Sequence, residues 1–402
     1  DFTDNLTLKA FTGQLKHQFE LSKIDHYQPI LKGANLNWYH KFDKKISIAP
    51  GISVVNRTLD TETMQTVAQE INSYPLENRF IPKYNTYATS LYNKLRFKKF
   101  NWYIEAAYKT QDVLRNIGDN TLLYQPDNGF VLYNSFTYSQ KGFGIVLQGK
   151  YTENFDFRVS PNELQNAGII NYLPALTRQN TMRLNSRYNA ATQTLGELAF
   201  QGDVTYTPKR GITINLNYAD IYDLDQNSLF REIYTEVSLK PKKKSWKLHT
   251  GLQLVDYKQA LYEFKPITSD WDGYVTTFTP FAEFVYKFSK KMSLKTEWSY
   301  MLTERDRRLF GKDIATYKQD LGDWAWALAE FSIAPKWSFS VADMYNFYDK
   351  LHYPTVAAFY TQKVSRFGVS YVKQPAGIVC TGGVCRFEPA FSGVKIDIST
   401  AF

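Results

Sequence analysis

The chain has 402 residues, of which 16 % are aromatic, and a formal net charge of +9 at pH 7. No stretch approaches the ~18 apolar residues that a membrane-spanning helix needs, so that class of membrane protein is excluded. Lysine and arginine are spread among turns and strands rather than clustered on one helix, which argues against a nucleic-acid-binding protein.

Segments in which apolar and polar side chains alternate recur along the chain, as expected for strands with one apolar and one polar face. Clear examples are Trp102–Tyr108, Leu198–Tyr206 and Met292–Leu302. No amphipathic helix of comparable length is predicted. We predict about eighteen strands, at 6–16, 30–42, 46–57, 86–97, 100–111, 129–139, 142–152, 196–207, 211–222, 230–240, 245–258, 274–288, 291–303, 322–334, 336–347, 353–361, 366–374 and 393–402.

The connections between these strands fall into two classes, short basic turns and long loops. Trp102, Tyr206 and Trp337 are among the aromatic residues beside the short turns, where they would form an interfacial girdle. Short periplasmic turns and long extracellular loops are typical of outer-membrane barrels. The sequence therefore predicts an all-β fold, a single antiparallel transmembrane β-barrel over residues 1–402 in a bacterial outer membrane. Its extracellular loops would be 60–85, 112–128, 153–195, 259–273, 304–321 and 375–392.

The last predicted strand, 393–402, places Val394, Ile396 and Ile398 on one face and ends on an aromatic residue. A terminal strand of this kind is typical of outer-membrane barrels, so we expect Phe402 to mark the strand that closes the barrel.

Three residues do not fit the strand pattern. Pro50 and Pro280 fall inside strands, and Asp343 falls on an apolar face. Such positions suggest bulges, interface positions or protein contacts.

The polar faces carry charges of both signs. The functional interpretation is a pore lining or substrate path. The alternative, which mixed signs favour, is a solvated interior held by ion pairs of small individual value. The residues predicted to face the lumen are Glu105, Lys109, Glu197, Asp203, Glu232, Glu236, Lys247, Glu283, Lys295 and Glu297.

Neither a metal site nor a cofactor is predicted, since the five histidines are scattered and no pair has the spacing of metal ligands. A Ser–His–Asp site would have to be assembled by folding, and nothing in the sequence marks one. Cys380 and Cys385 flank Gly382-Gly383, which predicts a hairpin tip closed by a disulfide. Half of a metal site is the alternative interpretation of the cysteines.

The predicted loop 153–195 contains an apolar segment, Ile169–Gln179, that is unlike an ordinary solvated loop. It can fold inward as a plug, pack on the rim of the barrel or contact a partner. Rim packing or plugging is preferred.

Several segments resemble a family of outer-membrane barrels from Bacteroidota that carries only a domain-of-unknown-function label. They are Ile30–Leu36, Ile170–Thr181, Gly196–Lys209, Ala342–Phe347 and Gly377–Pro389. The resemblance implies the outer membrane of such a bacterium, and it implies further strands upstream, so that eighteen would be a lower bound. It brings no activity, cofactor or catalytic residue.

The first functional hypothesis is a non-enzymatic structural subunit of a larger outer-membrane complex for secretion, transport or outer-membrane-protein assembly. It would contact outer-membrane lipid and, through loops 60–85, 153–195 and 375–392, other envelope proteins. The alternative is a pore or uptake channel for small solutes. A membrane-embedded hydrolase is a weaker alternative, and no nucleic-acid partner is expected.

Overall fold

The structure is a computed structural model that describes residues 5–15, 30–115, 123–163, 168–242, 244–267, 272–303, 322–381 and 384–401, with residues 378–387 described for their backbone only. The predicted loop 304–321 and the predicted closing residue Phe402 lie outside the described residues.

The described part is built from antiparallel strands. The first half contains β1 (Leu6–Gln14), β2 (Ile30–Trp38), β3 (His40–Lys41), β4 (Ile46–Thr58), β5 (Asn85–Phe97), β6 (Phe100–Arg115), β7 (Tyr124–Gln140), β8 (Phe143–Glu153), β9 (Gly196–Lys209) and β10 (Ile212–Tyr222). The second half contains β11 (Ser228–Leu239), β12 (Trp246–Tyr257), β13 (Val275–Lys287), β14 (Met292–Met301), β15 (Trp324–Ile333), β16 (Trp337–Asn346), β17 (Leu351–Gln362), β18 (Ser365–Gln374), β19 (Gly377–Thr381), β20 (Val384–Glu388) and β21 (Phe391–Thr400).

Nineteen strands form one sheet in which consecutive long strands pair from β1 to β18, and β18 pairs with β21. Without the two-residue β3, eighteen long strands remain, so the predicted all-β antiparallel fold and its strand number are confirmed. In the described part no pairing joins β1 to β21. Strands β19 and β20 form a separate hairpin that places Cys380 opposite Cys385, and their disulfide stays a prediction.

Some predicted boundaries are wrong. Strands β6 and β7 extend into the expected loop 112–128, because a bulge after Lys109 lets the pairing resume at Asp112, opposite Asp127. The register runs without a shift through Pro50 and Pro280, so bulges at these two prolines are not found.

The expectation that no amphipathic helix is as long as the strands is also wrong. Helix α1 (Thr61–Asn72) lies in the connection between β4 and β5, and the Asp60 side chain caps it by accepting a 2.7 Å hydrogen bond from the Thr63 amide. Met64, Val67 and Ile71 recur at helical spacing and are buried. The other helices are short, a 3₁₀ turn at Leu76–Asn78 and α2 (Gln259–Tyr262). Among the described residues, no helix combines the length and apolar character needed to cross a bilayer.

The sheet has two chemically different faces, which we call the outer and the inner face. The outer face exposes large apolar side chains, with aromatic residues close to the short turns. An exposed apolar band bordered by aromatic residues is the surface of a bacterial outer-membrane β-barrel, and the chain belongs in that membrane. Representative outer-face residues are Leu91, Trp102, Leu132, Leu198, Tyr206, Leu216, Trp298, Trp337, Val341, Val369 and Ile396.

Candidate functional site: a loop on the inner face

The described residues of the connection between β8 and β9, 154–163 and 168–195, pack on the inner face, and we call them the inner loop. At one side, Arg57 of β4 donates a 2.9 Å hydrogen bond to the carbonyl of Arg158. At the other side, the Arg187 guanidinium lies 4.2 Å from the Trp324 ring of β15. One segment contacts strands as distant as β4 and β15, so the sheet must curl around it.

The middle of the inner loop is anchored by an apolar core. Leu176, Leu184 and Tyr188 are buried together with side chains from strands β9 to β16. The Tyr188 ring lies 5.2 Å from the Tyr257 ring. Burying each such side chain is worth about 1.5–3 kcal/mol, so this core holds the loop firmly in place.

A buried ion pair fixes both stems of the inner loop. Lys150 Nζ lies 2.9 Å from Glu197 Oε1, and both side chains are fully buried. Lys150 also donates to the carbonyl of Pro174 at 2.6 Å, and Glu197 accepts from the amide of Gln193 at 2.6 Å. These bonds satisfy a pair of charges that would be costly to bury alone.

A second buried cluster fixes the start of the loop. Arg57 pairs with Asp112 at 2.7 Å, and Lys109 lies 3.4 Å from the same carboxylate. Lys109 Nζ also donates to the carbonyl of Asp156 at 3.0 Å. The cluster therefore links β4 and β6 to the loop backbone.

The far end of the loop, residues 178–182, is held differently, and we call it the tip. Arg178 lies 3.5 Å from both Asp203 and Glu236, and its guanidinium covers the Tyr234 ring at 4.0 Å. Arg178 and its two carboxylate partners are all partly exposed. Long, partly solvated ion pairs of this kind contribute little stability.

Glu232 joins the tip to the sheet from a buried position. Its carboxylate accepts hydrogen bonds from Gln253 at 2.6 Å, from the Asn180 side chain at 3.2 Å and from the Arg178 amide at 3.3 Å. This contact positions Arg178 close to its carboxylate partners on β9 and β11.

A polar cavity of about 220 Å³ lies between the tip and strands β11, β12 and β13. It is large enough for a small solute and presents charges of both signs. Its lining residues are Arg178, Gln179, Asn180, Thr181, Met182, Asn185, Tyr234, Glu236, His249 and Glu283.

One row beside the cavity contains a serine, a histidine and a carboxylate. Ser238 Oγ lies 2.5 Å from His249 Nδ1, but His249 Nε2 is 4.0 Å from Glu283. Ser238 also sits in the middle of the sheet, where its backbone pairs with neighbouring strands, so its amide is not free to bind an oxyanion. The row gives no support to the hydrolase hypothesis. In the described part, no group of three or more His, Cys, Asp or Glu residues could hold a metal ion.

Of the ten residues predicted to face the lumen, the seven on β6, β9, β13 and β14 alternate with exposed apolar outer-face residues. The strand register places Glu232, Glu236 and Lys247 on the same face as Glu283. Glu197, Asp203, Glu232 and Glu236 contact the inner loop, Lys109 contacts its backbone, and Glu283 lines the cavity. The others pair within the sheet: Lys295 with Glu297 at 2.7 Å, Lys247 with Glu283 at 3.3 Å, and Glu105 with the Tyr103 hydroxyl at 2.5 Å.

Sequence reasoning missed Arg57, Asp112, Arg178 and Gln253. Strand alternation places Arg57 and Gln253 on the inner face, so the sequence pattern was sufficient to find these two residues. Arg178 is in the apolar segment 169–179, for which plugging and rim packing are the preferred interpretations. The structure buries Leu176 of this segment in the inner core, whereas Tyr172 is exposed.

Solved structures that align with almost the whole chain include a siderophore receptor and the outer membrane protein OpdK. The siderophore receptor PirA from Acinetobacter baumannii has 8 % sequence identity and a TM-score of 0.41, over 99 % of this chain and 69 % of that one. OccK1 (OpdK) from Pseudomonas aeruginosa has 12 % identity and a TM-score of 0.43, over 98 % of this chain and 96 % of its own. OccK8 (OprE) from the same organism has 12 % identity and a TM-score of 0.42, over 99 % of this chain and 96 % of its own.

No curated protein matches the sequence significantly. A family model does match, and it extends over residues 1–402. The predicted resemblance to a family without assigned function is confirmed, while its Bacteroidota origin stays a prediction. The chain belongs to DUF6029, a family of unknown function.

Proposed function

We propose that the chain forms an outer-membrane pore for small polar solutes, with the inner loop as its constriction. The observation that carries the proposal is the polar cavity between the loop tip and β11–β13. Around the middle of the inner loop, an apolar core fills the space next to the inner face. Between the tip and β11–β13, the inner face is polar and charged. A polar route interrupted by the Arg178 side chain, which partly exposed ion pairs hold, fits a regulated passage better than a structural scaffold.

We prefer the pore to the structural-subunit hypothesis for one reason. The inner loop is one of the three loops expected to contact partners, and it packs against the inner face instead. The subunit hypothesis stays as a second candidate for one reason. The connection between β4 and β5 exposes Leu76 and Ile81, at 79 % and 86 % of their surface, and such apolar side chains suit contact with another envelope protein.

Conductance of the purified protein in a planar bilayer tests the pore. An eighteen-strand barrel is wide enough for an aqueous channel when nothing fills it. We expect the wild-type protein to show little steady conductance. Replacing residues 169–190 by a short Gly–Ser linker should produce large and stable single-channel steps.

The matched control replaces helix α1, residues 61–72, by the same linker. It removes a connection of the same end of the sheet without touching the inner loop, so its conductance should stay at the wild-type level. Heat-dependent migration on gels shows that each variant is folded. A folded barrel without residues 169–190 that still conducts nothing would contradict the proposal.

A further inference from the structure

One pair of polar residues interrupts the apolar outer face. Asp343 of β16 follows Phe339 and Val341 on the same face, and its Oδ2 lies 2.5 Å from Nδ1 of His352 on β17. The Asp343 side chain is 40 % exposed and the His352 side chain 66 %. Both are therefore accessible from outside the barrel.

The pair lies within the apolar band rather than above it. Asp343 is six residues beyond Trp337, where β16 begins, which corresponds to about 20 Å along the strand. With a strand tilt of about 40°, this is roughly 15 Å along the membrane normal. The apolar band of an outer-membrane barrel is about 25 Å tall. Ionisable residues at such depth are expensive in lipid and usually have a function.

The strand next to the pair carries small side chains on the outer face. Ala325, Ala327 and Ala329 are the outer-face residues of β15 next to it, and Ala327 lies directly opposite Asp343. Below them is a shallow apolar depression of about 520 Å³, whose lining includes Val341 and Val356. Small side chains allow another backbone to come close in a membrane, and polar side chains then link the two surfaces.

We propose that this wall, formed by β15, β16 and β17, is the interface with a second copy of the chain in the membrane. The patch is self-complementary, because it presents an acid and a base side by side. A two-fold axis along the membrane normal places Asp343 of each copy beside His352 of the other, as isologous interfaces require. Within one chain, Asp343 Oδ2 is held by His352, and Oδ1 is a buried atom without a hydrogen-bond partner among the described residues.

The mass of the full-length protein, extracted from native membranes into polymer-bounded lipid discs, tests the proposal. We expect the wild type to be a dimer. Asp343→Leu removes the polar contact and Ala327→Trp blocks close approach, so both variants should be monomers. Ala106→Trp is the matched control, because Ala106 is also an outer-face alanine but lies on β6. This variant should stay dimeric.

A monomeric wild type overturns the inference, as does a complex whose mass requires a different protein. It is also overturned if the dimer persists in folded Ala327→Trp and Asp343→Leu, because the contact then uses another wall. The pore experiment on residues 169–190 is independent, so either proposal can fail without the other.

Discussion

The stems of the inner loop and its tip both meet charged groups of the sheet, but at different burial. At the stems, Lys150 and Glu197 are fully buried 2.9 Å apart. At the tip, Arg178 reaches Asp203 and Glu236 only at 3.5 Å, and all three side chains are partly exposed. The same chemistry therefore fixes the loop at one place and leaves it adjustable at another, because burial and geometry decide what an ion pair contributes.

The largest expected effect comes from breaking the stem pair. Lys150→Met leaves Glu197 buried without a counter-charge, which should lower the free energy of unfolding by about 3–5 kcal/mol. Denaturant unfolding in detergent, followed by gel migration, measures it. The control is the double variant Lys150→Met with Glu197→Met, which should recover part of the loss. Equal destabilisation of the single and double variants would show that the pair is not what fixes the stems.

A smaller effect is expected from the apolar core between stems and tip. Leu184→Ala should cost about 2–4 kcal/mol, because the side chain is buried and leaves a cavity. Leu91→Ala is the control, since Leu91 is 61 % exposed on the outer face, where lipid can fill the space. If both changes cost the same, the inner core does not anchor the loop.

The smallest effect on stability is expected at the tip. Arg178→Ala should change the free energy of unfolding by at most about 1 kcal/mol. Its conductance should nevertheless exceed that of the wild type, because the contacts to Asp203 and Glu236 are lost. Unfolding and planar-bilayer recordings on the same preparation compare the two effects. A large loss of stability with no change in conductance would contradict an adjustable tip.

Salt separates stem and tip without any mutation. The Debye length shortens from about 10 Å at 0.1 M salt to about 3 Å at 1 M, which weakens exposed ion pairs far more than buried ones. We therefore expect more frequent openings of the wild type at 1 M, after correction for the conductivity of the solution, with little change in unfolding. Openings that do not depend on salt would show that Arg178 does not hold the tip.

Much of the fold could be predicted from local sequence. Alternation with a period of two identified the long strands and placed residues such as Glu236 and Lys295 on the inner face. The helix α1 was missed because its apolar residues occupy only three turns inside a long connection. The bulge after Lys109 hid the extension of β6, because it shifts the alternation on which the prediction depends.

The candidate site was predictable only in part. The apolar segment 169–179 suggested a loop that packs somewhere, and the structure shows where. The partners of Arg178 lie on β9 and β11, and that pairing depends on how the sheet curls. No local pattern encodes such a contact, since strand alternation gives the face of a side chain but not its neighbour across the lumen.

The Asp343–His352 pair also has a consequence for the surrounding bilayer. The uninterrupted apolar height at β16 is only roughly 15 Å, well below the usual thickness of a hydrocarbon layer. Lipids beside this wall must thin or tilt to match it, at a cost of fractions of a kcal/mol per Å of hydrophobic mismatch. When two such walls meet, the lipids between them leave and the deformation disappears. Membrane elasticity would then draw the two copies together even before any side chain touches its partner.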